Sequence, residues 1–237
     1  MLILAVDTSA LATAALLRVH DDGQAEVLES FAATETNAHA EVLAPAIGGI
    51  LEQAGIAGNQ LDRIVVGVGP GPFTGLRVGL ATAQALGFAW QVPVGGVVSL
   101  DAIAWQVARG AVEGGGAEGR ESLAGEFTVA IDARRREVYW ARYDDAGRLL
   151  DGPHVGAADG VPAGAVVGIG ASLYPEALES AGAHAVPGLD RLQPQAAALG
   201  AAAAELLRTG EALRPPVPLY LREADAKVPN AMKGRTA

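Results

Sequence analysis

The strongest constraint on this chain is an order of secondary-structure signals that occurs twice. Residues 2–6, 12–19 and 25–32 are β-prone runs, the last two joined by the turn-forming Asp21-Asp22-Gly23, and they predict a three-strand meander. Between 39 and 54 the apolar residues Val42, Leu43, Ala46, Ile47, Ile50, Leu51 and Ala54 recur at helical spacing, with Asn37 placed to cap the start and Gly55 to stop the end. A buried strand at 64–68, a glycine-rich turn, a helix from about Phe73 to Trp90, a strand at 94–98 and a helix ending near Ala108 follow. Residues 110–125 hold six glycines and no apolar period, which marks a connector. Beyond it the strand triplet returns at 127–131, 137–143 and 149–155, with Asp145-Ala146-Gly147 as hairpin turn. A strand at 165–169, a helix at 174–181, a strand at 183–186 and an alanine-rich helix at 195–207 complete the repeat. The pattern predicts an α/β chain of two lobes on one plan, 1–109 and 110–237. The second lobe is reduced and ends in the alanine-rich helix and a mobile polar tail from about 223.

A length of 237 residues suits two such cores. Acidic side chains outnumber basic ones 27 to 17, a net charge of −10, so the surface as a whole does not hold nucleic acid phosphates by itself; any RNA is reached with a partner's charge. The absence of cysteine removes disulfide scaffolds, thiolate zinc sites and cysteine nucleophiles together. The first seven residues have no basic region and reach Asp7 at once, which argues against a signal peptide. Residues 78–100 form 23 positions without a charge, long enough for a bilayer, but Thr82, Gln84, Gln91, Pro93 and four glycines fit a soluble helix followed by a strand. A cytoplasmic protein without membrane contact is expected.

The most distinctive segment is Gly67-Val68-Gly69-Pro70-Gly71-Pro72-Phe73-Thr74-Gly75-Leu76-Arg77, a turn between strand and helix. One reading is anion or partner binding at a helix N-terminus; the other is a tight turn, and spacing alone weighs them evenly. The segment lacks the lysine and hydroxyl residue of a phosphate-binding P-loop, and its glycines do not match a dinucleotide fingerprint. No Gly-x-Ser-x-Gly elbow exists, so Ser9, Ser99 and Ser172 have no strained turn to activate them. The histidines His20, His39, His154 and His184 are scattered, and His39 reads as a local hydrogen-bonding residue near Glu41. Asp62, Asp101 and Glu52 read as isolated acids that solvate helix ends and surface faces.

Five segments occur in order and at fitting distances: Asp7-Thr8-Ser9; Asn37-Ala38-His39-Ala40-Glu41 with Leu43 and Pro45; residues 69–77; Asp132-Ala133-Arg134 with Glu137-Val138-Tyr139; and Tyr220-Leu221-Arg222. Through them the chain, from 2 to about 222, resembles the TsaB (YeaZ) family of bacterial tRNA threonylcarbamoyladenosine biosynthesis proteins. The resemblance implies an α/β fold of two duplicated actin-like (ribonuclease H-like) lobes, each a mixed five-stranded sheet with flanking helices, which agrees with the doubled strand triplet. It also implies a non-catalytic scaffold and activator that pairs with the catalytic paralogue TsaD, supports binding of the ATPase TsaE, and meets tRNA only through the complex. A third reading is a homodimer that uses the same helices for itself in the absence of the partner.

An independent nucleotide-hydrolysing or phosphotransfer enzyme of the actin-like superfamily is the alternative. Against it, Asp7-Thr8-Ser9 is followed by Ala10-Leu11-Ala12, with no glycine to bring backbone N–H groups to a phosphate, and Arg134-Arg135-Arg136 stands where the second phosphate turn of those ATPases wants glycine. In register with the two metal-holding histidines of the catalytic paralogues stand Ser99 and Ile103, and isoleucine cannot ligate. No catalytic residue, metal or cofactor is therefore expected. The turn at 168–172 reads as a leftover of the fold rather than an adenine site. The helix at 73–90 is apolar nearly all round, which from pattern fits either a partner face or a helix packed on both sides. The resemblance selects pairing through the first-lobe helices, and names His39, Leu43, Ile47, Thr74, Arg77, Leu80, Ala81 and Gln84 as interface candidates, with Arg134 as the next charged contact.

Overall fold

A computed structural model describes residues 1–34, 39–112, 123 and 125–222, with the side chains of the helix at 39–54 described from Glu41 onward. The first sheet is built from β1 (Leu2–Asp7), β2 (Thr13–Val19), β3 (Ala25–Ala32), β4 (Arg63–Gly67) and β5 (Val94–Val97) in the order β3-β2-β1-β4-β5. The second contains β6 (Phe127–Asp132), β7 (Glu137–Tyr143), β8 (Leu149–Ala157), β9 (Gly164–Val167) and β10 (Ala183–Ala185) in the order β10-β9-β6-β7-β8. β1 runs antiparallel to β2 and parallel to β4, and β6 stands in the same relations to β7 and β9. The two sheets therefore share one plan, and the mixed, duplicated architecture expected of the sequence is present. The second lobe is reduced: β10 has three residues, and its helices α4 (Ile169–Leu173) and α5 (Pro175–Ser180) have five and six.

Central strands covered on both faces read as continuous apolar runs. β1 does so: Ile3 and Ala5 face one way, Leu4 and Val6 the other, and all four are fully buried. Leu4, Val6, Leu16, Ile64 and Val66 pack beneath α1 (His39–Ala54) and α2 (Phe73–Trp90), which contribute Leu43, Ile47, Leu76 and Leu80. Ile3, Ala5, Leu17, Val65 and Val97 form the opposite layer, with Ala102 of α3 (Ser99–Arg109). The second-lobe sheet joins the first layer through Phe127, Val129 and Tyr143, while Leu100, Ile103 and Val107 of α3 lie between the lobes.

The alanine-rich helix α6 (Ala196–Arg208) follows the second-lobe strands in the chain. It lies on the first sheet, with Leu199, Ala203 and Ala204 against Ile3, Ala5 and Leu17. The reason is close approach: a Cβ on Gly200 would stand 2.5 Å from a Leu17 methyl and 3.0 Å from Ala5 Cβ. The strand predicted at 165–169 is also shorter, because Gly168 takes φ 93° and Ile169 opens α4. The expected cap Asn37, most of the connector at 110–125 and the tail from 223 lie outside the described residues. Residues 78–100 end α2, form β5 and begin α3, and no helix among the described residues is long and apolar enough to cross a membrane.

One segment has no secondary-structure period in the sequence, although it contains Tyr220-Leu221-Arg222. After α6 the chain returns over the first lobe as an irregular strap. Arg214 and Gly96 exchange backbone hydrogen bonds of 2.9 and 2.7 Å, Gln84 Nε2 donates to Pro216 O at 2.7 Å, and Leu219 N–H donates to Val68 O at 2.8 Å. Arg77 Nε donates to Tyr220 Oη at 3.0 Å, and Arg222 then crosses to the second lobe and donates to Ala133 O at 3.0 Å.

Candidate functional site

The turn after β1 is sealed by its own side chains. Asp7 is fully buried; its Oδ1 accepts from Ser9 N–H at 2.8 Å and Ser9 Oγ at 2.6 Å, and its Oδ2 accepts from Ser99 Oγ at 2.6 Å. Gly69 N–H donates to Ser99 Oγ at 3.2 Å, so the end of β4, the start of α3 and the end of β1 meet on one carboxylate. Gly67 must be glycine because a Cβ there would run into Asp7 Oδ2. Hydrogen bonds of this kind satisfy a buried carboxyl group that would be costly to bury without partners.

The same turn explains the glycine-rich segment. A Cβ on Gly71 would lie 2.8 Å from Ser9 O, one on Gly79 would strike Thr8 Oγ1, and Thr8 Oγ1 donates to Gly75 O at 2.8 Å. The glycines therefore admit the chain's own β1–β2 turn against the start of α2. Of the two readings the sequence left open, the close approach here is between protein and protein, which is the tight-turn reading. Gly168 and Gly170 do likewise, where a Cβ would strike the Ala130 backbone.

The equivalent turn after β6 has the opposite character. Arg134, Arg135 and Arg136 take φ values of 62°, 56° and 62°, and all three are exposed. The left-handed region costs an L-residue roughly 1–2 kcal/mol, and such conformations persist where the surroundings fix them. Asp132 Oδ1 accepts from Arg134 N–H at 2.8 Å and from Tyr174 Oη at 3.2 Å, and Arg134 Nη1 lies 3.5 Å from Asp132 Oδ2. Arg222 braces the far side by pairing with Glu137 and by its bond to Ala133 O. Burial and the charge of Asp132 both push the Tyr174 phenol up, while the nearby Arg134 and Arg136 oppose the shift.

The predicted interface residues divide by helix face. Leu43, Ile47 and Leu80 are 0%, 2% and 4% exposed and hold α1 and α2 on the first sheet, so in this chain their side chains face the core and not the outer surface. Thr74, Arg77, Ala81 and Gln84 lie on the outer face of α2, joined by Ala85 and by Phe88, which is 81% exposed. Arg77 and Gln84 there carry the strap, and the Arg77 guanidinium lies over both the Phe73 and Tyr220 rings, which pack on each other with centroids 4.5 Å apart. Exposed Val217 on the strap adds to this surface. His39 begins α1, and Arg134 stands apart on the second lobe.

Ser99 is bound to Asp7, and Ile103 is fully buried core. Ser172 Oγ donates to Ile169 O at 3.2 Å. Among the described residues no serine hydroxyl is hydrogen-bonded to a histidine ring; His20 pairs with Glu26 and His154 with Asp151. Asp101, expected to be a solvated acid, is instead largely buried and accepts from Tyr143 Oη at 2.8 Å. Desolvation raises its pKa to about 6, against the Tyr143 hydrogen bond and the charge of Arg214, which lower it. It borders a cavity of about 520 Å³ between α3, the β7–β8 turn and α6, with Val98, Trp105, Arg148, Leu206 and Arg214 among its walls. A helix pattern places Asp101 in the first turn of α3, but the approach of β7 that buries it is a tertiary event without local signal.

Comparison with known proteins agrees with the duplicated plan. Residues 26–162 match the family model described as TsaD, tRNA N6-adenosine threonylcarbamoyltransferase. A functionally uncharacterised protein of Mycobacterium tuberculosis (strain H37Rv) is 41% identical over 226 residues, 95% of this chain and 93% of that one. The tRNA threonylcarbamoyladenosine biosynthesis protein TsaB of Escherichia coli is 34% identical over 143 residues, 60% of this chain and 55% of its own length. The structure of YeaZ from Pseudomonas aeruginosa superposes with a TM-score of 0.72 at 31% identity, over 93% of this chain and 99% of that one. A second Pseudomonas aeruginosa structure, described as similar to peptidase YeaZ, superposes with a TM-score of 0.74.

Proposed function

This chain belongs to the TsaB (YeaZ) family, and from that premise we propose that it is a non-catalytic subunit in the formation of threonylcarbamoyladenosine in tRNA, pairing with a TsaD-type catalytic subunit through the outer face of α2. The observation that carries the non-catalytic part is the sealed β1–β2 turn. A carboxylate serving phosphate or metal chemistry needs a free oxygen and room beside it; Asp7 is fully enclosed, with Ser9 and Ser99 on its two oxygens. The peptidase description attached to one structural relative finds no serine–histidine pair among the described residues, and Ser9 and Ser99 both donate to Asp7.

The pairing part is supported by the composition of α2. Ala81 and Ala85 are small and exposed, Phe88 projects beside them, and Arg77 and Gln84 rim the strip. Small residues that let a partner helix approach, one large apolar anchor and a polar rim are the anatomy of a specific interface. A supporting role for a TsaE-type ATPase, and a homodimer through the same strip when the partner is absent, are parts of this proposal.

Neighbouring positions of α2 give the test. Ala81→Arg exchanges one good helix former for another on the surface, so chain stability is expected to hold within about 0.5 kcal/mol. Pairing with the TsaD-type subunit of the same organism, measured by light scattering and calorimetry, is expected to weaken at least about 30-fold as a guanidinium is forced into the contact. Leu80→Arg, one residue away on the core face, is expected to unfold the chain. Undiminished pairing by Ala81→Arg refutes the assignment of the face.

A further inference from the structure

We propose that the cavity between α3, the β7–β8 turn and α6 binds a small zwitterion with an apolar body, its ammonium on Asp101 and its carboxylate on Arg148 and Arg214. The cavity lies on the side of the first sheet that α6 covers, opposite α1 and α2, so it is separate from the partner strip and independent of the function proposed above. A volume of about 520 Å³ is within the range of small-molecule sites, roughly 300–1,000 Å³. Val98, Trp105 and Leu206 supply apolar wall, and the polar groups can be sorted by what already holds them. Arg109 pairs with Glu205, which also accepts from Trp105 Nε1 at 3.0 Å, and Glu211 accepts from Thr209 Oγ1 at 3.0 Å. Asp101 Oδ1 accepts from Tyr143 Oη, but no donor among the described residues reaches Oδ2. The guanidinium groups of Arg148 and Arg214 likewise enter no hydrogen bond or ion pair among those residues.

These unused groups are fixed in place. The turn carrying Arg148 is closed by Asp144 Oδ1, which accepts from Ala146 N–H at 3.0 Å and Arg148 N–H at 2.7 Å. It sits so close on α3 that a Cβ on Gly147 would lie 3.1 Å from Ala104 O. Arg214 is held by its paired backbone bonds to Gly96. Both arginines are exposed while Asp101 is largely buried, which puts the cationic groups at the mouth and the acid within. The charge of Arg214 reaches Asp101, yet the two form no ion pair; opposite charges held near each other without joining suit a ligand that carries both signs. The acid itself points the same way. Tyr143 needs only an acceptor, which an asparagine would supply with no ionisable group in a desolvated position. Burial raises the Asp101 pKa to about 6, so at neutral pH the fold carries this carboxylate at a cost in stability. An acid kept on a cavity wall at such a cost is a candidate binding group, and an ammonium on Oδ2 compensates it. Guanidinium forks at the mouth match a carboxylate in bidentate fashion.

The probes are L-phenylalanine, phenylethylamine, which lacks its carboxylate, and 3-phenylpropanoate, which lacks its ammonium. Each is titrated into the full chain near neutral pH, with calorimetry and the fluorescence of Trp105 on the cavity wall as readouts. L-Phenylalanine is expected to bind about tenfold or more tightly than either, because each truncated probe leaves a charged group of the site without its partner. Asp101→Asn, which keeps the acceptor for Tyr143, is expected to erase the advantage over 3-phenylpropanoate and keep that over phenylethylamine. Arg148→Gln/Arg214→Gln is expected to do the reverse, and circular dichroism checks that both variants fold. Equal affinities of the three probes for the natural chain, or no saturation by any of them at about 10 mM, overturn the proposal. So does either variant if it discriminates among the probes as the natural chain does. The titrations need no second subunit, so a failure to pair with a TsaD-type protein counts against the preceding section alone.

Discussion

Asp101 offers the sharpest quantitative check on the interior. Its carboxyl titrates at about 6 in the folded chain against 3.8 for the free side chain, chiefly because α3 and β7 remove it from water. The sign of the linkage follows. Between about pH 4 and pH 6 the native chain retains a proton that the unfolded chain has released, so stability falls as pH rises through that window and levels off above it. A shift of this size corresponds to about 3 kcal/mol, at 1.36 kcal/mol for each pH unit of displacement. Asp101→Asn cannot ionise, and its amide oxygen still accepts from Tyr143. The variant is therefore expected to match the natural chain below pH 4 and exceed it by about 2–3 kcal/mol at pH 7, or by roughly 5–10 °C in Tm for a chain of this length. Urea unfolding followed by tryptophan fluorescence from pH 4 to 7.5 measures the difference, with Trp105 one turn further along α3 as a local reporter. Groups elsewhere titrate equally in both proteins and cancel. Equal differences at pH 4 and pH 7 would refute the assignment of a carboxylate whose desolvation outweighs its Tyr143 and Arg214 partners.

Two further outcomes probe the sealed turn and the strap. Gly67→Ala drives a methyl into Asp7 and Ser99 and is expected to cost about 2–5 kcal/mol from overpacking and disrupted hydrogen bonds, lowering Tm by about 5–15 °C; a change under 2 °C in calorimetry would show that the carboxylate has room to move. Tyr220→Ala removes the Arg77 hydrogen bond and the Phe73 ring contact, which is expected to loosen the strap locally by about 1–2 kcal/mol and speed tryptic cleavage after Arg222 about 5- to 30-fold. Unaltered cleavage with unaltered Tm would mean that Tyr220 does not hold the strap.

The legible part of this fold is the part written in local periodicity. β1 is a run of five apolar residues because helices cover it on both faces, and both meanders declare themselves through turn residues. What periodicity withholds is the neighbour. The alanine-rich stretch reads as a helix, yet the choice of the first sheet depends on Gly200 meeting Ala5 and Leu17 across more than 180 residues of chain. Leu80 and Ala81 are both apolar letters on a helix that is apolar nearly all round, and only the position of the sheet sends one to the core and the other outward. Asp101 misled for the same reason: its partner Tyr143 lies 42 residues away, in the other lobe. The strap offers Tyr220-Leu221-Arg222 as letters but not its path, because an irregular segment held by backbone bonds to Gly96 and Val68 has no period to detect.

The two lobes carry the same turn in the same place, and their divergence bears on what the cleft can do. Asp7 closes β1 before the turn to β2 as Asp132 closes β6 before the turn to β7. An anion gripped between two such turns needs both to present backbone N–H groups to it. The first turn is filled by Ser9 and Ser99 and packed against Gly71 and Gly79, so that reopening it would expose a buried carboxylate. The second is intact as a loop but bears arginine side chains at all three left-handed positions, where glycine would leave the backbone bare. Closure of one turn removes any benefit of keeping the other as a backbone cradle.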